Sequence, residues 1–406
     1  MKKIHYGWWI MVACCAINCL SGIISSSAVN FFNPVAEELN VGIGEISLYM
    51  TIMLLTSSAL LPMYGRIIEK YLRPILLFAG AVQCIAFALM GMLHHVQQFW
   101  IAGVFLGMGV AVTYSLATPV LINMWFRKNQ GLATGIAFSF LGISGAVFSV
   151  VAGNMIVSLG WRMAYIALAA CTAIIYIPAV VFLVHTPEKK GLLPYGAEDN
   201  YIVETEKVDE LIKGVTLQQA LRHPSFYLMI VCAVLLALAG SEASQIPAFS
   251  VGHFGMSIED GAQVLAINSI GITIGTVLLG AICDRIGHAK TMLFAMGMAF
   301  AGHIMLLAGT TTVLVRPAVF IIGIGFSSVT VLLPLFGTHV FGNKEFSRIW
   351  SIVLSAASIA SAVAISLYGF IFDITASYYV VFIMVAAICV LVAVFGMAAI
   401  KFRAKF

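Results

Sequence analysis

The feature that most constrains this chain is a series of apolar stretches, each about as long as a lipid bilayer is thick. A spanning helix needs roughly 20 predominantly apolar residues. By that rule the sequence holds twelve candidate spans, at about 7–32, 44–65, 74–94, 98–123, 130–157, 162–184, 225–249, 259–282, 290–309, 314–338, 348–372 and 378–400. Composition agrees: 61% of the 406 residues are apolar and only 9% charged, with a mean hydropathy of +1.04. Soluble domains carry about 25% charged residues, so a water-soluble globule, a disordered chain and a nucleic-acid binder are excluded. The expected fold class is an all-α membrane protein with twelve transmembrane helices.

Charge placement orients the spans. Of the 21 Lys and Arg residues, only Arg162 and Arg316 fall on loops that would face outside. The rest occupy the N-terminus, the alternate loops and the C-terminal Lys401-Phe-Arg403-Ala-Lys405, which puts both termini in the cytoplasm of a cell (inner or plasma) membrane protein. Glu37, Glu38, Glu45, Glu259, Asp260 and Asp373 fall near the outer side, and acids weigh little in this rule. Lys2 and Lys3 precede an apolar run that continues past Ile24 without a small-residue cleavage pattern, so it reads as a retained first helix. The eight cysteines lie in apolar stretches with no CxxC pair, which indicates neither a disulfide framework nor a zinc site.

The longest polar stretch, Thr186 to His223, divides the chain nearly in half, with seven acids and five bases. It predicts a first bundle at 1–185, a cytoplasmic linker at 186–223 with a short amphipathic helix at Thr216–Arg222, and a second bundle at 224–406. The halves repeat weakly. Gly65-Arg-Ile-Ile-Glu69 recurs as Gly280-Ala-Ile-Cys-Asp284 at an offset of 215, and Asn123–Lys128 aligns with His339–Lys344 at 216. Two pseudo-symmetric six-helix bundles joined by a polar loop is an architecture of alternating-access carriers.

Gly280-Ala-Ile-Cys-Asp284-Arg285-Ile-Gly287-His-Ala-Lys290 resembles the signature loop of the major facilitator superfamily. Its glycine permits close helix approach, and its Asp and Arg suit a charge latch at a helix end. The first-half copy is degraded: Glu69 replaces the Asp, and Leu72 stands where a second glycine belongs, with Arg73 following. Glu69, Arg73, Gly280, Asp284, Arg285 and Gly287 are thus the candidate cytoplasmic gate. His5-Tyr-Gly-Trp-Trp9, Trp125-Phe-Arg-Lys-Asn-Gln-Gly131-Leu-Ala-Thr-Gly135, Gly160-Trp-Arg162 and Pro187-Glu-Lys-Lys-Gly191-Leu-Leu-Pro194-Tyr-Gly196 narrow the likeness. Together they are similar to the branch with oxalate:formate antiporters and bacterial monocarboxylate transporter homologues. The resemblance implies the major facilitator fold and passage of small organic anions, usually coupled to a proton or counter-anion. It also implies an Arg in the eighth span, about eight residues before the loop Asp; this chain has Thr276 there and no Lys or Arg in 259–282. Without that guanidinium the anion must be held by neutral donors, or the substrate is not a simple anion.

Glu242 is the one acid well inside a span, about seventeen residues into span 7 and so ~25 Å from its cytoplasmic start. Ionised groups at such depth usually face a cavity or a partner. It reads as a proton-coupling or substrate-contacting carboxylate, or as an acid satisfied by Ser241, Ser244 or Gln245. Asn18, Ser21, Gly22 and Ser25 share one face of the first span, serving either a cavity or close packing. Thr113, Tyr114 and Thr118 offer hydroxyls in the fourth span, with a core tyrosine as the alternative. Small residues from Gly131 to Gly153 mark close packing in the fifth span, with Ser139 retained as a cavity residue. Asn268, Thr276 and Ser355 complete the candidate set, on stripes that suit packing as well as ligand contact. His303 and His339 read as structural histidines, His94 and His95 as an exposed loop pair, and Arg316 as a side chain snorkelling to the interface.

No GxSxG, Walker loop or HExxH occurs, so no enzyme, metal or cofactor site is expected. The expected partners are a small-molecule substrate, protons and the lipid bilayer, with no nucleic acid, for a chain acting as a monomer. The reading is a secondary transporter for a small monocarboxylate or related organic anion, proton-coupled through Glu242. The alternative is proton-coupled efflux of amphipathic or cationic compounds; a non-transporting sensor would need a larger cytoplasmic domain.

Overall fold

The computed structural model describes residues 5–114, 116–184, 186–197, 214–309, 312–375 and 377–402. Within them, ten helices are long and apolar enough to cross a membrane. Two of the ten are far too long for one crossing. Helix α2 (Ile43–Met90) has 48 residues and α5 (Gln130–Val181) has 52, about 70–80 Å at ~1.5 Å per residue against a hydrocarbon core of ~30 Å. Each folds at an interior residue with non-helical torsions, Tyr71 (φ −122°, ψ 33°) and Gly160 (φ 77°, ψ 157°). Each therefore supplies two crossings, and the ten helices make twelve spans. Gly160 sits in a region of torsion space nearly closed to other residues.

Residues 1–128 and 136–201 cluster as one unit, and 129–135 with 202–406 as a second. The first unit contains α1 (Tyr6–Leu39), α2, α3 (Val96–Thr113), α4 (Ala117–Trp125) and most of α5. Span 4 is α3 and α4 in series. Arg162 binds span 1 and the end of the second limb of α2 to the second limb of α5. Its guanidinium donates to Glu38 Oε1 (2.9 Å) and to the carbonyls of Gly91 (3.3 Å) and Leu93 (2.9 Å), and it lies over the Trp161 ring. Trp161 Nε1 adds a hydrogen bond to Glu38 Oε2 at 2.5 Å. Beside the start of α1, Tyr195 packs on His5, Trp8 and Phe126, and its backbone pairs with Trp125 and Arg127. The start of the linker is thereby docked onto the unit.

The second unit contains α6 (Leu217–Leu221), α7 (Pro224–Gly240), α8 (Ile246–Phe254), α9 (Ile258–Ile286), α10 (His288–Ala308), α11 (Thr312–Phe326), α12 (Leu332–Phe341), α13 (Phe346–Thr375) and α14 (Tyr379–Lys401). The short helix α6 starts from Thr216, which forms a capping box with Gln219. Span 7 is α7 and α8 joined by a 3-10 turn at Ser241–Gln245; span 10 is α11 and α12 joined by one at Ser327–Val329.

The hydropathy pattern gives spans 4, 7 and 10 as unbroken helices; in the structure each breaks a few residues before a proline, whereas Pro34, Pro62 and Pro178 lie within continuous helix. Proline lacks the N–H that would bond the carbonyl four residues earlier, and its ring clashes there. Four residues before Pro247 lies Ala243, in the 3-10 turn; four before Pro334 lies Thr330, just past the other turn; Pro119 stands in the first turn of α4. Pro119 and Pro334 stand 215 residues apart, as do Phe126 and Phe341 at the C-terminal ends of α4 and α12. The repeat thus extends to where the helices are broken.

Candidate functional site

In the first unit, buried polar side chains of α1, the second limb of α2, α3 and α4 bond one another. Asn18 Nδ2 donates to Thr118 Oγ1 (3.1 Å) and to the Ala137 carbonyl (2.8 Å). Ser21 Oγ (3.1 Å) and Gln83 Nε2 (2.8 Å) both donate to Thr113 Oγ1, whose hydroxyl in turn donates to Gly109 O (3.3 Å). Two of the candidates, Asn18 and Thr118, thus bond each other, and a third, Ser21, joins Thr113 and Gln83 in a second network. Asn18 Oδ1 and Gln83 Oε1 are left buried without a partner. Tyr114, at the end of α3 where the span breaks, is 37% exposed, and Ser25 is half-buried. Ser139 is buried and turned back on its own helix, bonding Ile136 O at 2.8 Å.

In the second unit the candidate residues are spread out. Asn268 spends its amide on Val319 O (2.9 Å), cross-linking α9 to α11. Thr276, the residue standing in the position of the expected arginine, bonds Thr273 O within its own helix at 2.7 Å and is buried. A Cβ on Gly135 would run into the Thr276 carbonyl, so this part of α9 is a packing surface for the first turns of α5. Ser355 is half-buried.

Glu242 lies in the 3-10 turn of span 7, and the neighbours expected to satisfy it do not. Ser241 Oγ bonds Ala237 O, Ser244 Oγ bonds Ser241 O, and Gln245 Nε2 bonds Ser244 Oγ. Its partner is His303 of α10, 61 positions away: Oε1 and Nε2 are 2.7 Å apart, and both side chains are 0% exposed. His303 is thus correctly a bound histidine, but the bond it makes is to the one deep acid. The second imidazole nitrogen, Nδ1, meets Ala299 O at 2.7 Å. Phe326 and Phe382 face the imidazole, with ring centroids at 5.9 and 6.2 Å. Tyr368 of α13 donates to Leu238 O (2.6 Å) in the turn before Glu242. Glu242 Oε2 and the Ser328 hydroxyl of span 10 are buried without partners.

The loop motif behaves differently from a charge latch. Asp284 accepts the backbone N–H groups of Gly131 (Oδ1, 2.9 Å) and Leu132 (Oδ2, 2.8 Å) in the first turn of α5. Helix N-termini leave such donors unsatisfied and carry a partial positive charge, so one carboxylate serves as a cap supplied from another helix. Gly131 and Gly280 lie back to back; a Cβ on either would strike the other's carbonyl oxygen. Gly287 is left-handed (φ 85°), turning the chain between α9 and α10, while Arg285 and Arg73 are exposed and Glu69 is half-buried. Three polar residues read as surface groups are engaged. His94 Nδ1 meets Arg162 at 3.1 Å, His95 caps α3, and Arg316 donates to Asp260 (3.1 Å) and Gln263 (3.3 Å).

Comparison with known proteins places these geometries in context. A family model for the Major Facilitator Superfamily matches residues 14–349. The oxalate:formate antiporter of Oxalobacter formigenes is 23% identical over 369 residues, covering 87% of this chain and 82% of that protein. Monocarboxylate transporter 12 of Homo sapiens is 24% identical over 306 residues, covering 70% of this chain and 58% of that longer protein. Among solved structures, the proton:xylose symporter XylE bound to 6-bromo-6-deoxy-D-glucose superposes with a TM-score of 0.78 over 97% of this chain and 96% of that one. At 13% identity that likeness is one of fold.

Proposed function

Because the chain belongs to the Major Facilitator Superfamily, and is a multi-pass secondary carrier, we propose that it moves a small monocarboxylate or related organic anion together with a proton. The substrate class is supported by the relatives, one an oxalate:formate antiporter and another a monocarboxylate transporter. In place of the absent arginine, the neutral donors of the first unit and the Tyr114 hydroxyl are the groups proposed to meet the carboxylate, with Asn18, Ser21 and Thr118 at the core of that set. Ser25, Ser139, Asn268, Thr276 and Ser355 belong to the supporting packing in this reading. Asp284, with Gly280 and Gly287, forms the cytoplasmic latch, released when α5 must leave α9 during alternating access.

The observation that carries the coupling is the Glu242–His303 pair, a titratable couple sealed in the membrane and set in a broken span. Intramembrane acids mark proton pathways when they are paired and enclosed. The same pairing weighs against efflux of cations, because a carboxylate neutralised by a histidine offers a cation no open site.

The test is uptake into proteoliposomes under an imposed pH gradient, using labelled lactate, oxalate and an organic cation, with Glu242→Gln alongside. Lactate accumulation that follows the gradient and is lost in the variant is the expected result. Carboxylate flux indifferent to both would remove Glu242 from coupling, and cation movement opposing protons would replace the anion reading with efflux.

A further inference from the structure

The proton inventory at the sealed pair follows from its partners. A carbonyl oxygen only accepts, so the contact with Ala299 O fixes a hydrogen on His303 Nδ1. Between Nε2 and Glu242 Oε1, 2.7 Å apart, there is then room for one hydrogen. With none, an imidazole lone pair faces a carboxylate and the site carries a net negative charge. With one, the hydrogen bond is made and the site is neutral, whichever atom holds it. A second would have to sit on Oε2, which has no acceptor, beside an imidazolium, giving a net positive charge.

Among the described residues, no charged side chain balances either charge. Phe326 and Phe382 face the imidazole; Phe249 packs on Phe382 at 4.3 Å, with His253 stacked on Phe249 and near Tyr379, toward the outer end. The titratable groups facing Glu242 from the packed helices are Tyr368 of α13 and Cys389 of α14, both of types ordinarily neutral at pH 7. Unpaired charge in such a shell is strongly disfavoured, so the enclosed arrangement suits one proton and no other number.

Resting on the reading of Glu242 as the coupling acid, we infer that His303 is the other half of the coupling site, and that the sealed pair is the carrier's single-proton, loaded form. Proton release requires the pair to part. The part that moves is the Ser241–Gln245 turn, since His303 sits in the unbroken α10 while Glu242 sits where Pro247 withholds a backbone bond. One proton carried with one monoanion is electroneutral. Accumulation then rises about tenfold per pH unit of gradient, the ratio that 1.4 kcal/mol of proton free energy sets, and ignores membrane voltage.

His303→Gln keeps a hydrogen-bonding side chain but cannot exchange a proton with Glu242. In proteoliposomes with labelled lactate, His303→Gln and Glu242→Gln are both expected to lose accumulation under a one-unit pH gradient. The wild type should accumulate about tenfold per pH unit, unchanged by a potassium diffusion potential. Loss in Glu242→Gln with full accumulation in His303→Gln would overturn the inference and leave the coupling acid in place. Full accumulation in both would remove both readings. A wild-type ratio near a hundredfold, or one that follows voltage, would refute the single-proton count without needing a variant. Infrared titration of the purified protein gives a substrate-free check: the carboxyl or carboxylate band of Glu242, identified by its loss in Glu242→Gln, should shift in His303→Gln, and an unshifted band would overturn the pairing.

Discussion

Asp284→Ala removes the cap on the first turn of α5 and exposes two backbone donors. The carboxylate's two bonds, at 2.9 and 2.8 Å, are charge-assisted, a class contributing about 1.5–3 kcal/mol each when shielded from water. Asp284 is exposed, so water replaces much of that. The better guide is the cost of deleting a helix cap, about 0.5–2 kcal/mol, to which the favourable placement of an anion at the helix N-terminus adds about 0.3–1 kcal/mol. A loss of about 1–2 kcal/mol is therefore expected, raising the population of the open first turn by about 5–30-fold. Hydrogen exchange of the peptide spanning 129–140, read by mass spectrometry in detergent, measures this directly. Exchange at the Gly131 and Leu132 amides should accelerate by that factor in Asp284→Ala and by less in Asp284→Asn, which retains one acceptor oxygen. Unchanged exchange in Asp284→Ala would refute the cap, and equal acceleration along all of α5 would point to general destabilisation instead.

Two further outcomes follow from backbone and charge. Neither Gly160 nor Gly153 has a heavy atom near where a Cβ would stand, but only Gly160 has a positive φ. Gly160→Ala should therefore lower the melting midpoint, by about 1–3 kcal/mol of strain, while Gly153→Ala stabilises by up to ~1 kcal/mol; equal effects would refute the torsional argument. Glu38 is held below the usual carboxylate range, first by its hydrogen bond from Arg162 and then by that from Trp161. A depressed folded-state pKa adds stability that is present above the unfolded value of ~4.3 and lost as pH falls through the folded value. The melting midpoint of the wild type should thus exceed that of Glu38→Gln at pH 7, and the gap should narrow at pH 3.5; a constant gap would contradict the assignment.

The spans were legible because hydropathy is additive along a helix and needs no knowledge of neighbours. Their breaks were equally written, at Pro119, Pro247 and Pro334, but an apolar window does not register a missing N–H. Gln83, an amide in the middle of an apolar run, carried the same kind of signal as Glu242. What stayed illegible depends on the rotation of one helix against another. Asn18, Ser21 and Thr118 bond across helices because their helix faces meet those of their partners, whereas Asn268 and Thr276, on an equally polar stripe, turn to a neighbouring backbone and to their own. A helical wheel gives residues their order around an axis and not the direction in which the axis is turned. Glu242 and His303 lie on spans 7 and 9, 61 positions apart, and no spacing rule pairs them; Asp284 bonds a backbone, for which sequence has no letter.

The proline breaks bear on what repeated operation demands of the chain. A helix opened by a competing side chain can close again, and its hydrogen bond must be surrendered afresh on each opening. A joint made by an absent N–H is the same in every conformation, because no arrangement of the chain restores the donor. In spans 4, 7 and 10 the expense of interrupting the helix is met once, as the protein folds, and does not recur with each turnover.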